Sequence, residues 1–407
     1  MITNNISQKQ CTGCMACYNV CPKSAISMKS NAEGFWYPII NKVDCIDCGV
    51  CVSVCPELNC NKIKREKAYK AYACVSSDDS ILMNSSSGGL FADIANFVLN
   101  KNGIVYGAYN ESIYKVVHAK VTDCASLKKV QGSKYVQSYI GYSYREIKKE
   151  LLEGRYVLFS GTPCQVAAIK SYLKHEYDNL HLKHEYDNLL CIDLICHGVP
   201  SPRMYSEYIR SIEQRNNWTI SEYKFRSKRR LGMNCDYSIS YKNKSGREKI
   251  ESKSWINSSF YYFFMKGEIY RPSCYNCKYA TLERCSDLTI GDYWGMNKLK
   301  YDIDYSKGIS VGIVNTEKGE RMINMISNKK CETTISDAVR YNESAVRPTP
   351  YNPKREIIFD VFMKDGIKGL DKLYKKDCSI IYKLQSNIYD VIPYRLKEKI
   401  KKVLRMN

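Results

Sequence analysis

Apolar and polar positions change rhythm several times along the chain. A charged stretch, Asn61–Ala71, reads as a linker. Behind a turn of small residues, Ser85–Gly89, the positions Leu90, Phe91, Ile94, Phe97 and Val98 repeat at helical spacing. "GIVYGAY" and "KVVHAKV" (Lys115–Val121) then read as strands. The theme recurs in "RYVLFSGTPCQVAAIKSYL", a strand, a turn and a helix, and in "LLCIDLICHGVPSP" (Leu189–Pro202), a buried strand ending in a Pro/Gly turn. Strand, tight turn and helix in succession predict an α/β layer. "CDYSISYKNKSGREKIESKSW" alternates like strands, and "NSSFYYFFMKGEIY" (Asn257–Tyr270) predicts an aromatic helix facing a core. In the last residues, Leu396, Ile400, Val403 and Leu404 share one helical face with lysines opposite. Such a basic amphipathic helix either docks on its own domain or lies on an anionic membrane.

An octapeptide, "LKHEYDNL", occurs at 173–180 and again at 182–189. It carries His175 and His184, with His181 between the copies, but its period fits no solenoid repeat. It reads as a short duplication at a surface helix end rather than a metal site.

The chain has 407 residues, 44% of them hydrophobic, enough for two or three domains with real cores. No apolar run approaches the roughly 18 residues of a membrane span. "MITNNISQKQ" lacks the apolar segment of a signal peptide, so a cytoplasmic location is expected. The formal charge of +20 raises the question of nucleic acid, but no nucleic-acid motif accompanies it. Acidic redox proteins or phosphate-bearing cofactors answer the charge as well. Twenty cysteines in a long chain without an export signal point to metal or redox chemistry rather than disulfides.

Eight of those cysteines fall in two runs, "CTGCMACYNVCP" and "CIDCGVCVSVCP", each C-x2-C-x2-C-x3-C-P. In this pattern three cysteines wrap one cubane and the fourth reaches the other. Cys11, Cys14, Cys17 and Cys55 are therefore expected to hold one [4Fe–4S] cluster, and Cys45, Cys48, Cys51 and Cys21 a second. Zinc is the alternative, but zinc sites use paired C-x2-C units with a longer spacer. About sixty residues bury little core, so the clusters themselves supply much of this segment's stability.

A second group lies in "RPSCYNCKYATLERCSDLTIGDYWG" (Arg271–Gly295). Cys274 and Cys277 form a C-x2-C pair that needs partners from elsewhere. Cys164 and Cys196 each follow an apolar strand, where sites gather in open α/β sheets. A third [4Fe–4S] on Cys164, Cys196, Cys274 and Cys277 is expected, with Cys285 as the alternative ligand and zinc as the rival metal; Cys191 is a further candidate. Cys164 read as a nucleophile has only His197 as a nearby base, and the turn lacks the G-x-S-x-G elbow. Cys60, Cys74, Cys124, Cys235, Cys331 and Cys378 show no ligand spacing.

"SSSGGLFADIANFVL", "GSKYVQS", "FSGTPCQVAAIK", "DLICHGVPSP", "YKFRSKRR", "RPSCYNCKYA" and "DLTIGDYWG" occur in this order. Together they resemble the beta subunit of coenzyme F420 hydrogenase and dehydrogenase, with plant 7-hydroxymethyl chlorophyll a reductase as a relative. The resemblance covers roughly residues 8 to 350. It implies a bacterial-type 2[4Fe–4S] ferredoxin domain (1–62), a mixed α/β flavin-binding core and a helical tail (326–407). The core divides into the family's N-terminal region (68–148) and its C-terminal region with the flavin and third cluster (150–325). Carried over, it implies flavin contacts at Ser87, Gly88, Gly89, Lys134, Gln137, Gly161, Thr162, Gln165, Asp287, Asp292 and Trp294. Ser227 and Met233 depart from the family's basic motif, where an acidic residue and a Gly-Trp pair are usual.

The implied function is a flavin- and iron–sulfur-dependent oxidoreductase. Electrons pass between a ferredoxin or other redox protein, the clusters, FAD and a small organic acceptor, either a deazaflavin or a sugar- or polysaccharide-linked substrate. The alternative is a ferredoxin-type electron-transfer subunit without substrate chemistry of its own.

Overall fold

The computed structural model describes residues 1–179, 186–229, 235–296 and 303–379. The N-terminal unit is small: a hairpin of Ile26–Ser30 and Trp36–Ile40, and two short helices, Ala16–Val20 and Val50–Ser53. Its own apolar cluster is led by Ile2, Ile26 and Cys55, too few side chains for a conventional core.

The centre of the molecule is an eight-stranded sheet. Its strands are β1 (Lys70–Ser76), β2 (Ile104–Ser112), β3 (Lys115–Val121), β4 (Val157–Gly161), β5 (Leu189–Leu194), β6 (Leu288–Asp292), β7 (Ser310–Val314) and β8 (Asn328–Thr333). The spatial order is β8-β1-β7-β6-β5-β4-β2-β3. β2, β4, β5 and β6 are mutually parallel, and β3, β7 and β8 run against their neighbours. β4 and most of β5 are buried on both faces, which is why they read as unbroken apolar runs. Helices α1 (Leu90–Asn100), α2 (Ser143–Leu152) and α3 (Pro163–Asn179) pack on the sheet. Fully buried Phe159 and Tyr144 meet edge to face on one side of it, each worth about 1.5–3 kcal/mol in burial.

One sheet spans both core regions expected from the sequence, so they share a single pairing network. β8 lies beyond the boundary expected at 326, and the chain after it continues into Lys354–Asp377, helical but broken at Gly366. A three-stranded meander (Thr219–Lys224, Asp236–Lys242, Glu248–Ser254) and helix Ser259–Met265 bury the aromatic run as core. No helix among the described residues is long and apolar enough to cross a membrane. Leu396, Ile400, Val403, Leu404, His181 and His184 lie outside the described residues.

Candidate functional site

The two cysteine motifs fold alike. Gly13 (φ +67°) and Met15 (φ +66°) are left-handed in the first loop, and Asp47 (φ +47°) and Gly49 (φ +75°) stand at the same positions of the second. A left-handed Met or Asp costs on the order of 1–2 kcal/mol, and alternating handedness turns successive N–H groups into a concavity suited to an anion. One cavity of about 340 Å³ is lined by Cys11, Cys14, Cys17 and Cys55. Another, of about 390 Å³, is lined by Cys21, Cys45, Cys48 and Cys51. Each motif's fourth cysteine thus lines the other motif's cavity. Among the described residues no three His, Cys, Asp or Glu side chains gather closely enough to hold a single ion. The cysteines instead stand around the walls of spaces several atoms wide, as a polynuclear cluster requires. Burial, then the charge of Cys55, pushes the Cys14 thiol up to about 12, and burial pushes Cys55 up to about 11. Thiols so crowded resist ionising in one another's company, a penalty that cationic iron offsets.

A third set forms at the carboxyl ends of the parallel strands. Cys164 follows β4 in the first turn of α3, Cys196 follows β5, and Cys274 and Cys277 belong to the turn Pro272–Asn276 and its exit. The Arg271 N–H donates to the Val199 carbonyl at 2.9 Å and fixes that turn beside β5's exit. Burial first, then the charges of Cys277, Cys196 and Cys274, drive the Cys164 thiol well up. Cys196 is pushed up to about 12 by burial and then by Cys277. The four expected thiols are therefore brought together. Cys285 packs beside Cys164 and Cys277, but after burial its strongest electrostatic influence is Arg65. Cys191 is buried within β5. Cys164 faces the Thr162 hydroxyl at 3.2 Å, while His197 is hydrogen-bonded to Tyr270 through Nδ1 and offers Cys164 no base.

The expected flavin contacts divide among four places. Ser87, Gly88 and Gly89 sit beyond β1, on the same edge as the third cysteine set. Gly88 is wedged so tightly that a Cβ would fall 2.1 Å from the Cys74 carbonyl, and Gly89 (φ +92°) caps α1. Lys134 packs nearby and donates to the carbonyls of Gln131 (2.8 Å) and Gly132 (3.1 Å). Its side chain is half-buried overall but its ammonium is enclosed, and that desolvation pushes it down to about 7. Asp292 and Trp294, at the end of β6 and beyond it, both engage the buried Arg226, by ion pair and by ring face. Gly161, Thr162 and Gln165 build the Cys164 turn, where the Gln165 amide oxygen accepts the Thr162 N–H at 2.9 Å. Gln137 lies at the N-terminal domain instead, donating to the Thr12 carbonyl and accepting from Arg271. Asp287 is at the opposite, amino end of β6. Its carboxylate accepts the Cys191 N–H and the Thr316 hydroxyl, so it joins strands rather than the shared edge.

Sequence reasoning missed Lys228. Its ammonium donates to the carbonyls of Leu82 (2.6 Å) and Ser87 (2.5 Å), and burial pushes it down to about 8. Ser227 is buried beside it, and Met233 lies outside the described residues. The basic run "YKFRSKRR" is the available signal, but nothing in it separates a buried lysine from solvated ones.

Paired cysteine cavities on a short N-terminal unit, joined to an α/β sheet with further thiols at its edge, define an iron–sulfur redox protein. Residues 10–59 match the 4Fe-4S dicluster domain. Residues 154–338 belong to the family described as the C terminus of the coenzyme F420 hydrogenase/dehydrogenase beta subunit. Among solved structures, a chain from the F420-reducing [NiFe] hydrogenase complex of Methanosarcina barkeri, studied by xenon derivatization, is similar. It is 14% identical, with 76% of this chain and 91% of that chain covered and a TM-score of 0.42. Comparison with curated proteins returned no match.

Proposed function

We propose that this chain is an iron–sulfur flavoprotein oxidoreductase, moving electrons between a ferredoxin-like protein at its N-terminal unit and an organic acceptor at the carboxyl edge of the sheet. The observation that carries this reading is the order of the three cysteine quartets. Cys48 of the second quartet is exposed, whereas Cys14 and Cys17 of the first are enclosed. From the first quartet, contacts lead directly to the third. The Tyr144 hydroxyl lies 3.1 Å from the Cys14 carbonyl and 3.2 Å from that of Gln165, next to Cys164. Tyr279 donates to the Pro56 carbonyl at 2.8 Å, and Lys278 to the Glu57 carbonyl at 2.6 Å, tying the Cys277 turn to the exit of Cys55. Bound [4Fe–4S] clusters supply single-electron transfer, and a bound flavin supplies the pairing of electrons for two-electron chemistry. The chain's part is to hold these sites in sequence and keep water from the inner ones.

For the flavin, Ser87–Gly89, Lys134, Lys228, Gly161, Thr162, Asp292 and Trp294 are the residues proposed. Among the described residues neither lysine has a carboxylate on it, and both are desolvated beside the small-residue loop. A diphosphate would give those charges a partner. A deazaflavin or a sugar- or polysaccharide-linked substrate is the proposed acceptor, and a ferredoxin or another redox protein the proposed partner.

Anaerobic purification with iron, sulfide and flavin quantified tests the whole reading. About twelve irons, four per quartet, and one FAD are expected; eight irons without flavin would sink the enzyme reading in favour of a bare electron-transfer subunit. Cys164→Ser is expected to lose one cluster and keep two. The flavin arm has its own pH test. Lys134 is a cation only below about pH 7, so FAD affinity is expected to strengthen as pH falls through that value. Lys134→Met should weaken binding and flatten the dependence, and an unaltered pH profile in that variant would remove Lys134 from the site.

A further inference from the structure

We propose that Arg271 is a positioning residue for the first cysteine quartet: a fully buried cation that clamps the Cys11–Cys17 loop and raises the reduction potential of the cluster held there. This rests on the reading of Cys11, Cys14, Cys17 and Cys55 as cluster ligands.

Arg271 is 0% exposed. Its three nitrogens meet neutral acceptors only: Nε donates to the Cys11 carbonyl at 2.7 Å, Nη1 to the Gln137 amide oxygen at 3.0 Å and Nη2 to the Trp36 carbonyl at 2.9 Å. Among the described residues no carboxylate pairs with it; Glu33, from the same neighbourhood, is taken by Arg355. The faces of Tyr37 and Phe35 lie 4.2 and 5.5 Å from the guanidinium carbon and offset part of the desolvation. A buried charge without a counter-ion is otherwise expensive. An anionic group inside the Cys11–Cys17 loop is the partner this arrangement lacks.

The approach is close by construction. A Cβ on Gly13 would fall 2.7 Å from Gln137 Nε2 and 2.8 Å from Arg271 Nη1, so this loop position has room for glycine alone. Gln137 completes the clamp by donating to the Thr12 carbonyl at 2.9 Å. On its other side, Arg271 accepts the Cys274 N–H at 2.9 Å through its own carbonyl. One residue thereby touches the backbone of a ligand in the first quartet and of a ligand in the third. The second motif has no counterpart, since a Cβ on Gly49 would meet nothing within 4 Å.

When a one-electron donor is oxidised at the N-terminal unit, the electron that arrives at the first quartet adds one negative charge there, and none leaves until the electron passes on. A fixed cation in a dry setting favours that reduced form. The effect is to make the first quartet accept electrons more readily than the same motif would unaided.

The test is a redox titration of the anaerobically reconstituted full chain followed by electron paramagnetic resonance, with iron content measured alongside. Arg271→Met removes the charge. Gln137→Glu sets a carboxylate against it and keeps the contact with Nη1, which keeps the test decisive if Arg271→Met fails to fold. Each is expected to shift the reduced-to-oxidised ratio of one cluster at least tenfold towards oxidised, about 59 mV for a one-electron couple, with the other two midpoints in place. Arg271→Lys should restore most of it. Full iron content with all three midpoints unmoved in both variants overturns the inference alone. A wild-type chain that binds no cluster at Cys11–Cys17 overturns the ligand reading, and this inference with it.

Discussion

The two N-terminal cysteine motifs have the same spacing and the same left-handed turns, yet they live in opposite surroundings. The first loop is covered by Arg271, Gln137 and Tyr144 from three distant parts of the chain. The second presents Cys48 to solvent, with Val43 at 92% and Ile46 at 60% exposure beside it. Identical local chemistry thus yields an inner station and an outer one. The spacing specifies how a cluster is held, and the packing around it specifies which neighbour it exchanges electrons with.

The largest effect expected is from iron removal. The N-terminal unit has almost no core of its own, so chelation should unfold it while the central sheet persists. Hydrogen exchange should show the Cys45–Cys51 loop losing protection first, because nothing outside the unit clamps it, and the Cys11–Cys17 loop following. Unchanged circular dichroism after bleaching would refute the dependence, and simultaneous loss of both loops would erase the contrast between them.

Glycine substitution gives a smaller, cleaner comparison. Gly13→Ala and Gly49→Ala both force a side chain into left-handed backbone, at about 1–2 kcal/mol. Gly13→Ala also drives a methyl into Arg271 and Gln137, whereas Gly49→Ala meets open space. The first should therefore cost roughly 1–3 kcal/mol more, read from denaturation midpoints of the cluster-loaded protein. Equal costs would mean the first loop is not clamped as tightly as the contacts indicate.

The smallest effect is expected at Tyr144→Phe. Loss of a hydroxyl shared between the Cys14 and Gln165 carbonyls should cost about 1 kcal/mol. It should slow exchange between first and third quartets several-fold, measured by rapid-freeze resonance, and leave reduction of the second unaffected. A variant that slows all three alike would place the tyrosine's role in general stability.

Much of the fold was legible because it is written in local periodicity. Lys115–Val121 is a strand as expected, Leu90–Asn100 carries the helical apolar repeat, and the aromatic run Ser259–Met265 is core. β8, "NKKCET", was missed because an edge strand with outward lysines carries no apolar alternation. At the sites, the third quartet's members could be named because each follows a strand or forms a C-x2-C pair. Asp287 was placed with the flavin by its motif, but it precedes its strand rather than following it, and the sheet's length separates the two ends. Gln137 was placed there likewise, and its amide instead reaches a loop 125 residues earlier in the chain.

By itself, then, the sequence determined what is set over a few residues: the loop geometry around each cysteine run, the strands and helices of the core, and the types of ligand available. Only the tertiary structure decided which motif is enclosed and which exposed, that Arg271 and Tyr144 stand between quartets, and that two lysines are stripped of water beside Ser87. Those outcomes depend on contacts between residues tens to hundreds of positions apart, and on burial that turns an ordinary side chain into a strong electrostatic neighbour. Neither property has a local signature in the chain.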